Sequence, residues 1–161
     1  MEKDDTVARI RVAAARRWAA LCILSLLGAI LLWVALATPP AALWLRAGVL
    51  VGGLGAFWLA VRMGAATGRG LVLTRTELRE DGAGGRVLAR LDQVRTVDRG
   101  ALAFKPSNGF LLHLAPDAGR GWVWAPGSWW RIGGRVGVGG VLRAADARAV
   151  AEFVSLRLHE R

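Results

Sequence analysis

Between Trp18 and Val61 the chain runs almost without polar side chains, and this run limits the possible fold more than any other feature. Trp18 to Ala37 carries no charged residue, Thr38-Pro39-Pro40 interrupts, and Leu43 to Val61 resumes with Arg46 as its single charge. A bilayer core about 30 Å thick needs about 20 consecutive apolar residues to be crossed by a helix. An amphipathic soluble helix would instead repeat polar residues at the helical period. In the first run only Cys22 and Ser25 are even mildly polar. The expectation is a pair of membrane-spanning helices over 18–37 and 43–61, joined by an outer turn at 38–42. Neither proline has a backbone N–H to continue a helix, and each restricts its predecessor. The turn is therefore sharp and the two spans are neighbours.

Four tryptophans fall near the four ends of these runs: Trp18 and Trp33 in the first, Trp44 and Trp58 in the second. Each pair is separated by about 20–23 Å along a helix axis. Tryptophan is enriched at membrane–water interfaces, so these four are candidate interfacial anchors. Arg46 joins them: it stands beside Trp44, close to the turn, where a long side chain reaches the outer interface by snorkelling. Gly48 and Gly52 form a Gly-x-x-x-Gly pair that permits close helix approach, read first as a contact within the hairpin and second as a dimer face. Ala35-Leu36-Ala37 has the form of a signal-peptidase site. The apolar run before it exceeds the usual length of about 7–15 residues, and a second span follows at once, so an uncleaved anchor is expected.

Orientation follows from the basic residues. Lys3, Arg9, Arg11, Arg16 and Arg17 precede the hairpin, Arg62 and Arg69 follow it, and only Arg46 lies between the spans. The positive-inside rule then puts both termini in the cytoplasm of a multi-pass inner (plasma) membrane protein, with 1–17 as a cytoplasmic N-terminal segment that extends into the first helix. The chain carries a net charge of +10, and residues 62–161 hold sixteen basic against nine acidic groups. A basic domain beside a membrane is attracted most simply to anionic lipid headgroups. Nucleic acid is not expected as a partner; a membrane-protein partner or a second copy of the chain is. Cys22 is the only cysteine, which excludes a disulfide framework and a cysteine-based metal site.

After a Gly/Ala linker at 62–69 the texture changes. Leu71 to Thr74, Leu78 to Glu80 and the alternating Val87, Ala89 and Leu91 read as short strands, separated by turn chemistry at Asp81 to Gly85. Asn108-Gly109 between the runs Ala101–Phe104 and Phe110–Leu114 is a hairpin signal, with Phe110, Leu112 and Leu114 on one face. Further strands are expected at Gly121 to Trp124 and within Ile132 to Leu142. The period then changes: Ala147, Val150, Ala151, Val154 and Leu158 predict an amphipathic helix over 144–159. The order Leu71-Val-Leu-Thr-Arg-Thr-Glu-Leu, then Gly85 to Arg90, then Leu91-Asp-Gln-Val-Arg-Thr-Val resembles the opening of bacterial pleckstrin-homology-like (PH-like) domains. The resemblance spans about Gly70 to Arg157 and implies a bent antiparallel β-barrel capped by one C-terminal α-helix, placed over 70–161. It implies no particular ligand.

No stretch carries recognisable catalytic chemistry. Gly133 to Gly140 lacks the Gly-Lys-Ser/Thr ending of a phosphate loop. His113 and His159 are isolated, and the serines lack a nucleophile context. The expectation is a non-enzymatic protein without cofactor or metal, whose domain contacts lipid headgroups or a membrane-protein partner. The alternative is an accessory subunit acting through its hairpin. The segment most suited to contact is Arg120 to Arg135, with Arg120, Trp129, Trp130, Arg131 and Arg135 as candidates, one of Trp122 and Trp124 expected inside, and at least one of Trp129 and Trp130 near the surface. Reporter fusions after Met63 and at the C-terminus should be active only with a cytoplasmic reporter; periplasmic phosphatase activity at either point would reverse the topology.

Overall fold

A computed structural model describes residues 6–37, 42–100 and 107–160. The expected turn at Thr38-Pro39-Pro40 and the run Ala101–Phe104 lie outside the described residues. The chain divides into two compact units: a helix pair over Ala14–Ala65, and a sheet domain made of the chain up to Ala13 together with the chain from Ala66.

The helix pair consists of α1 (Ala14–Ala37) and α2 (Leu43–Ala66), each of 24 residues, or about 36 Å of helix. Both are long and apolar enough to cross a membrane. They outrun the apolar stretches on the flanking side, so Arg16, Arg17 and Arg62 are helical. The helices meet at Gly28 and Gly53, not at the Gly48/Gly52 pair that the motif suggested. A Cβ on Gly28 would stand 2.9 Å from the Phe57 ring and 3.1 Å from the Gly53 carbonyl oxygen; a Cβ on Gly53 would stand 2.9 Å from Leu32. Gly52 approaches only Leu31, and Gly48 faces open space. At the flanking ends the Arg17 guanidinium donates to the Gly64 carbonyl at 3.1 Å, tying the first turns of α1 to the last of α2.

The sheet domain begins with a strand that the sequence reading missed. β1 (Thr6–Ile10) lies in the segment expected to be a mere lead-in to the first helix, yet it pairs antiparallel with β2 (Leu71–Thr74), with Ile10 opposite Leu71 and Arg9 opposite Val72. β3 (Glu77–Glu80) and β4 (Val87–Arg90) complete a four-stranded antiparallel sheet in the order β1-β2-β3-β4. Buried Thr74 closes the β2–β3 turn: its hydroxyl accepts the Glu77 N–H at 3.0 Å and lies 3.1 Å from the Glu77 carbonyl. The second sheet holds β5 (Val94–Asp98), β6 (Phe110–Leu114), β7 (Gly121–Ala125), β8 (Trp129–Gly133) and β9 (Arg135–Val138), in the order β5-β6-β9-β8-β7. Asn108 takes the positive φ expected of it, and β6 pairs with β5 on one side and β9 on the other. The glycines at 133 and 134 form the two-residue turn of the β8–β9 hairpin, where Ile132 faces Arg135.

One core joins both sheets to α3 (Ala144–His159). It contains Ile10, Leu73, Leu78 and Leu88 from the first sheet and Phe110, Leu112, Leu114, Trp129, Val136 and Val138 from the second. Ala147, Val150, Ala151 and Val154 enter it from α3, whose limits coincide with those expected from its period. Burying each such valine contributes roughly 1.5–3 kcal/mol. The face of Phe110, Leu112 and Leu114 is buried as expected, whereas in β4 Leu88 is buried and Val87 exposed.

The short stretch between β1 and α1 is laced to the stretch before α3. Val12 bridges Leu142, the Ala13 N–H donates to the Val141 carbonyl at 2.8 Å, and the Arg143 N–H donates to the Arg11 carbonyl at 2.9 Å. Asp146, in the first turn of α3, accepts the Arg11 backbone N–H at 3.0 Å and the Arg11 Nε–H at 3.2 Å. Burial raises the Asp146 carboxyl, but the Arg11 backbone and side-chain hydrogen bonds and the charges of Arg11 and Arg143 outweigh it and hold the group below its ordinary value. The fold thus favours the carboxylate. This contribution is complete above the ordinary Asp pKa of about 3.9 and is lost as the pH falls through the lowered one. Asp146→Asn should cost on the order of 1 kcal/mol at neutral pH. In thermal unfolding of the detergent-solubilised chain the gap between wild type and variant should close in acid; a gap independent of pH would contradict this role.

Candidate functional site

The segment Arg120 to Arg135 forms the β7–β8 hairpin, and the two-residue period of a strand sorts its aromatic and basic residues onto opposite faces. Trp122 pairs with Ile132 and Trp124 with Trp130 across the two strands. All four side chains lie on one face. Trp122 is 76% exposed, Ile132 49% and Trp124 43%, and the four line an open apolar depression of about 470 Å³. Such directly opposed aromatic pairs steady a hairpin. Trp130 lies flat over Gly137 on β9: a Cβ there would come within 2.4 Å of the indole ring, so only glycine leaves room for it. Arg135 flanks the patch opposite Ile132 and is exposed. His113, opposite Arg135 on β6, is half-buried.

The intervening residues Val123, Trp129 and Arg131 turn the other way. Trp129 is 2% exposed and donates its indole N–H to Glu80 Oε1 at 3.0 Å. It is a core residue that ties β8 to β3, which corrects its expected place in a contact surface. Arg131 is half-buried. One of its terminal nitrogens donates to the Ala118 and Gly119 carbonyls at 2.7 and 3.1 Å, and the other reaches the Leu88 carbonyl at 3.4 Å. Its guanidinium therefore joins β8 to β4 and to the 3-10 turn Pro116–Ala118. Arg120 is exposed at the entry to β7. The expectation that one of Trp122 and Trp124 would be inside is also corrected, since both are outside. Trp130 is the member of its pair that reaches the surface. The exposed role of Trp122, Trp124 and Ile132 was open to reading from strict alternation on two adjoining strands, but the presence of Trp129 in the same short stretch masked the parity.

β7 is the edge of its sheet, and an edge strand with two exposed indoles is a liability unless something covers it. The turn between β7 and β8 is fastened by backbone hydrogen bonds. The Gly127 carbonyl accepts the Val141 N–H at 2.9 Å, and the Ser128 carbonyl accepts the Gly139 N–H at 2.9 Å. Because Val141 also accepts the Ala13 N–H, the turn end of the aromatic face lies two hydrogen bonds from the residue that precedes α1.

In the helix pair Trp18, Trp33, Trp44 and Trp58 are all exposed. The Arg17 guanidinium sits 5.7 Å from the Trp18 ring centre and that of Arg62 5.6 Å from the Trp58 ring, cation–π spacings for both. Arg46 is half-buried in the first turn of α2. Among the described residues no three His, Cys, Asp or Glu side chains converge as metal ligands.

No protein-family model matches the chain, and comparison with curated proteins and with solved structures likewise finds no match.

Trp129→Ala should destabilise the domain by about 3–5 kcal/mol, as loss of a buried large aromatic does. Trp122→Ala should stay within about 0.5 kcal/mol, as exposed positions do. Chemical denaturation of the full chain in detergent reads both; equal losses at the two positions would refute the division into faces.

Proposed function

We propose that the chain is a non-enzymatic integral protein of the inner (plasma) membrane, anchored by α1 and α2 with both flanks in the cytoplasm, and that its PH-like domain lays the β7–β8 aromatic face against the headgroup zone of the bilayer. The observation that carries this reading is the apolar patch of exposed Trp122, Trp124 and Ile132 with half-buried Trp130, on a domain that the chain joins directly to two helices long and apolar enough to span. A domain joined to α1 at Ala13 and to α2 at Ala66 is kept by the covalent chain close to any bilayer that the helices enter. Trp rings with neighbouring Arg suit the headgroup region, where one part of the side chain is dry and the other wet.

The topology has separate support. Pairing of β1 with β2 needs the chain before α1 and the chain after α2 to share a compartment, a condition that two crossings meet. The excess of Lys and Arg on those flanks favours the cytoplasm. Two antiparallel sheets around one core with a final helix fit the barrel-and-helix plan of PH-like domains. Exposed Trp beside Arg17 and Arg62 fits anchoring at the cytoplasmic interface. A second reading, an accessory subunit acting through its hairpin, draws on the open space beside Gly48 and Gly55 on α2, room that a further helix would fill.

Site-directed spin labelling of the full chain in nanodiscs tests the first reading. In a Cys22→Ser background, a nitroxide on Trp124→Cys should be more accessible to oxygen than to a water-soluble nickel chelate, and one on Glu152→Cys of α3 the reverse. Equal exposure of both labels to the chelate overturns the bilayer contact. A label at 124 shielded from both reagents shifts the reading to a protein partner.

A further inference from the structure

A sheet edge that meets water is normally blunted by a charged side chain, a proline or a bulge, because its unpaired backbone groups otherwise recruit another strand. Among the described residues, three of the four edges of the two sheets follow this rule. β1 carries Arg9, β4 carries Arg90, and β5 carries Arg95 and Asp98; the register of each with its neighbour is irregular. β7 departs from it. The strand reads Gly-Trp-Val-Trp-Ala from Gly121 to Ala125, without charge or proline, and its register with β8 is regular throughout. Outside that ladder Trp122, Val123 and Trp124 make no backbone hydrogen bond among the described residues.

We infer that this edge pairs antiparallel with β7 of a second copy of the chain, centred on Val123. A two-fold contact needs a self-complementary surface, and β7 is nearly a palindrome about Val123. In this register Val123 faces Val123 of the second copy, Trp122 faces its Trp124, and Gly121 faces its Ala125. Trp122 already stands opposite Ile132 and Trp124 opposite Trp130. The pair therefore builds two continuous rows, each running from Ile132 and Trp122 of one copy to Trp124 and Trp130 of the other. Directly opposed aromatic side chains stabilise a sheet. Arg120 comes opposite Pro126 of the second copy, so no like charges meet. Two such short edges make a smaller contact than the about 1,600 Å² of a standard interface; confinement of both copies to one bilayer raises their effective concentration and offsets the shortfall. The symmetry agrees as well. The two-fold axis of an antiparallel strand pair stands perpendicular to the sheet, and copies inserted the same way into one bilayer are related by an axis along its normal. The two axes coincide when the aromatic face lies on the bilayer. That last step rests on the bilayer reading, whereas the unprotected edge and its palindrome do not.

The test uses the full chain in proteoliposomes, in a Cys22→Ser background that removes the single native cysteine. Opposed residues of an antiparallel pair have Cα atoms about 4.5–5.5 Å apart, within the reach of a disulfide. Val123→Cys should therefore give a covalent dimer on oxidation with copper phenanthroline. Arg120→Cys, at a more exposed position, should cross-link at least about tenfold more slowly, because in this register the two copies of that residue lie about 20 Å apart along the strands. Should Val123→Cys fail to fold, energy transfer between fluorophores on Glu152→Cys reads the same association. Mixed donor- and acceptor-labelled chains should show transfer above that of random proximity, and Trp122→Lys, which installs the charge that this edge lacks, should weaken association about tenfold or more. Cross-linking at 120 as fast as at 123, transfer that Trp122→Lys leaves intact, or no transfer beyond random proximity overturns the edge pair. A cross-link at 123 combined with a label at 124 open to the nickel chelate keeps the edge pair and rejects the bilayer contact. No cross-link with that label in the bilayer rejects the edge pair alone.

Discussion

The pairing of β1 with β2 is the constraint from which the rest of the domain follows. These strands are neighbours in the sheet, yet the whole helix pair separates them in the chain. Closing a flexible loop of that length would cost entropy that grows as the logarithm of its length. The helix pair reduces this cost by its own packing. Gly28 and Gly53 let α1 and α2 approach closely, and the Arg17–Gly64 hydrogen bond brings the two flanking ends together. Helix packing and sheet completion are thereby coupled: Ile10 reaches the core only if the chain returns beside it. The sheet in turn secures the segment before α1, through Val12, Ala13 and the Arg11–Asp146 contacts.

Strand alternation does a second kind of work in the β7–β8 hairpin. A stretch of sequence that mixes four tryptophans with arginines is separated by parity into a dry face and a charged one. Trp129 and Arg131 hold the hairpin from its inner side, through Glu80, Leu88 and the Pro116–Ala118 turn. With the inner side so fastened, the outer indoles pack only against each other and Ile132 across the hairpin, apart from Trp130, which also rests on Gly137. Core residues and the exposed apolar patch are therefore drawn from alternate residues of the same two strands.

Local signals in the chain determined much of this. Two long charge-poor runs, a Pro-Pro break and an i, i+3, i+4 stripe depend only on neighbours in sequence, so the helix pair and α3 were legible, as were β2, β6, β7 and the face of Phe110, Leu112 and Leu114. The β7–β8 stretch, with its mix of tryptophan and arginine, was legible as a segment. What only the tertiary structure decided were matters of pairing and parity. Ala8, Ile10 and Val12 alternate with Arg9 and Arg11, a strand period too short to settle the element by itself, because its partner β2 is supplied from beyond the helix pair. Gly28 and Gly53 are separated by the turn, so no motif joins them, while of the conspicuous pair Gly48 faces open space and Gly52 makes only an ordinary contact with Leu31. Trp129 is inside and Trp122 and Trp124 outside because register with β8 and β9 sets which face meets the core, and a shift of one residue would have reversed all of them.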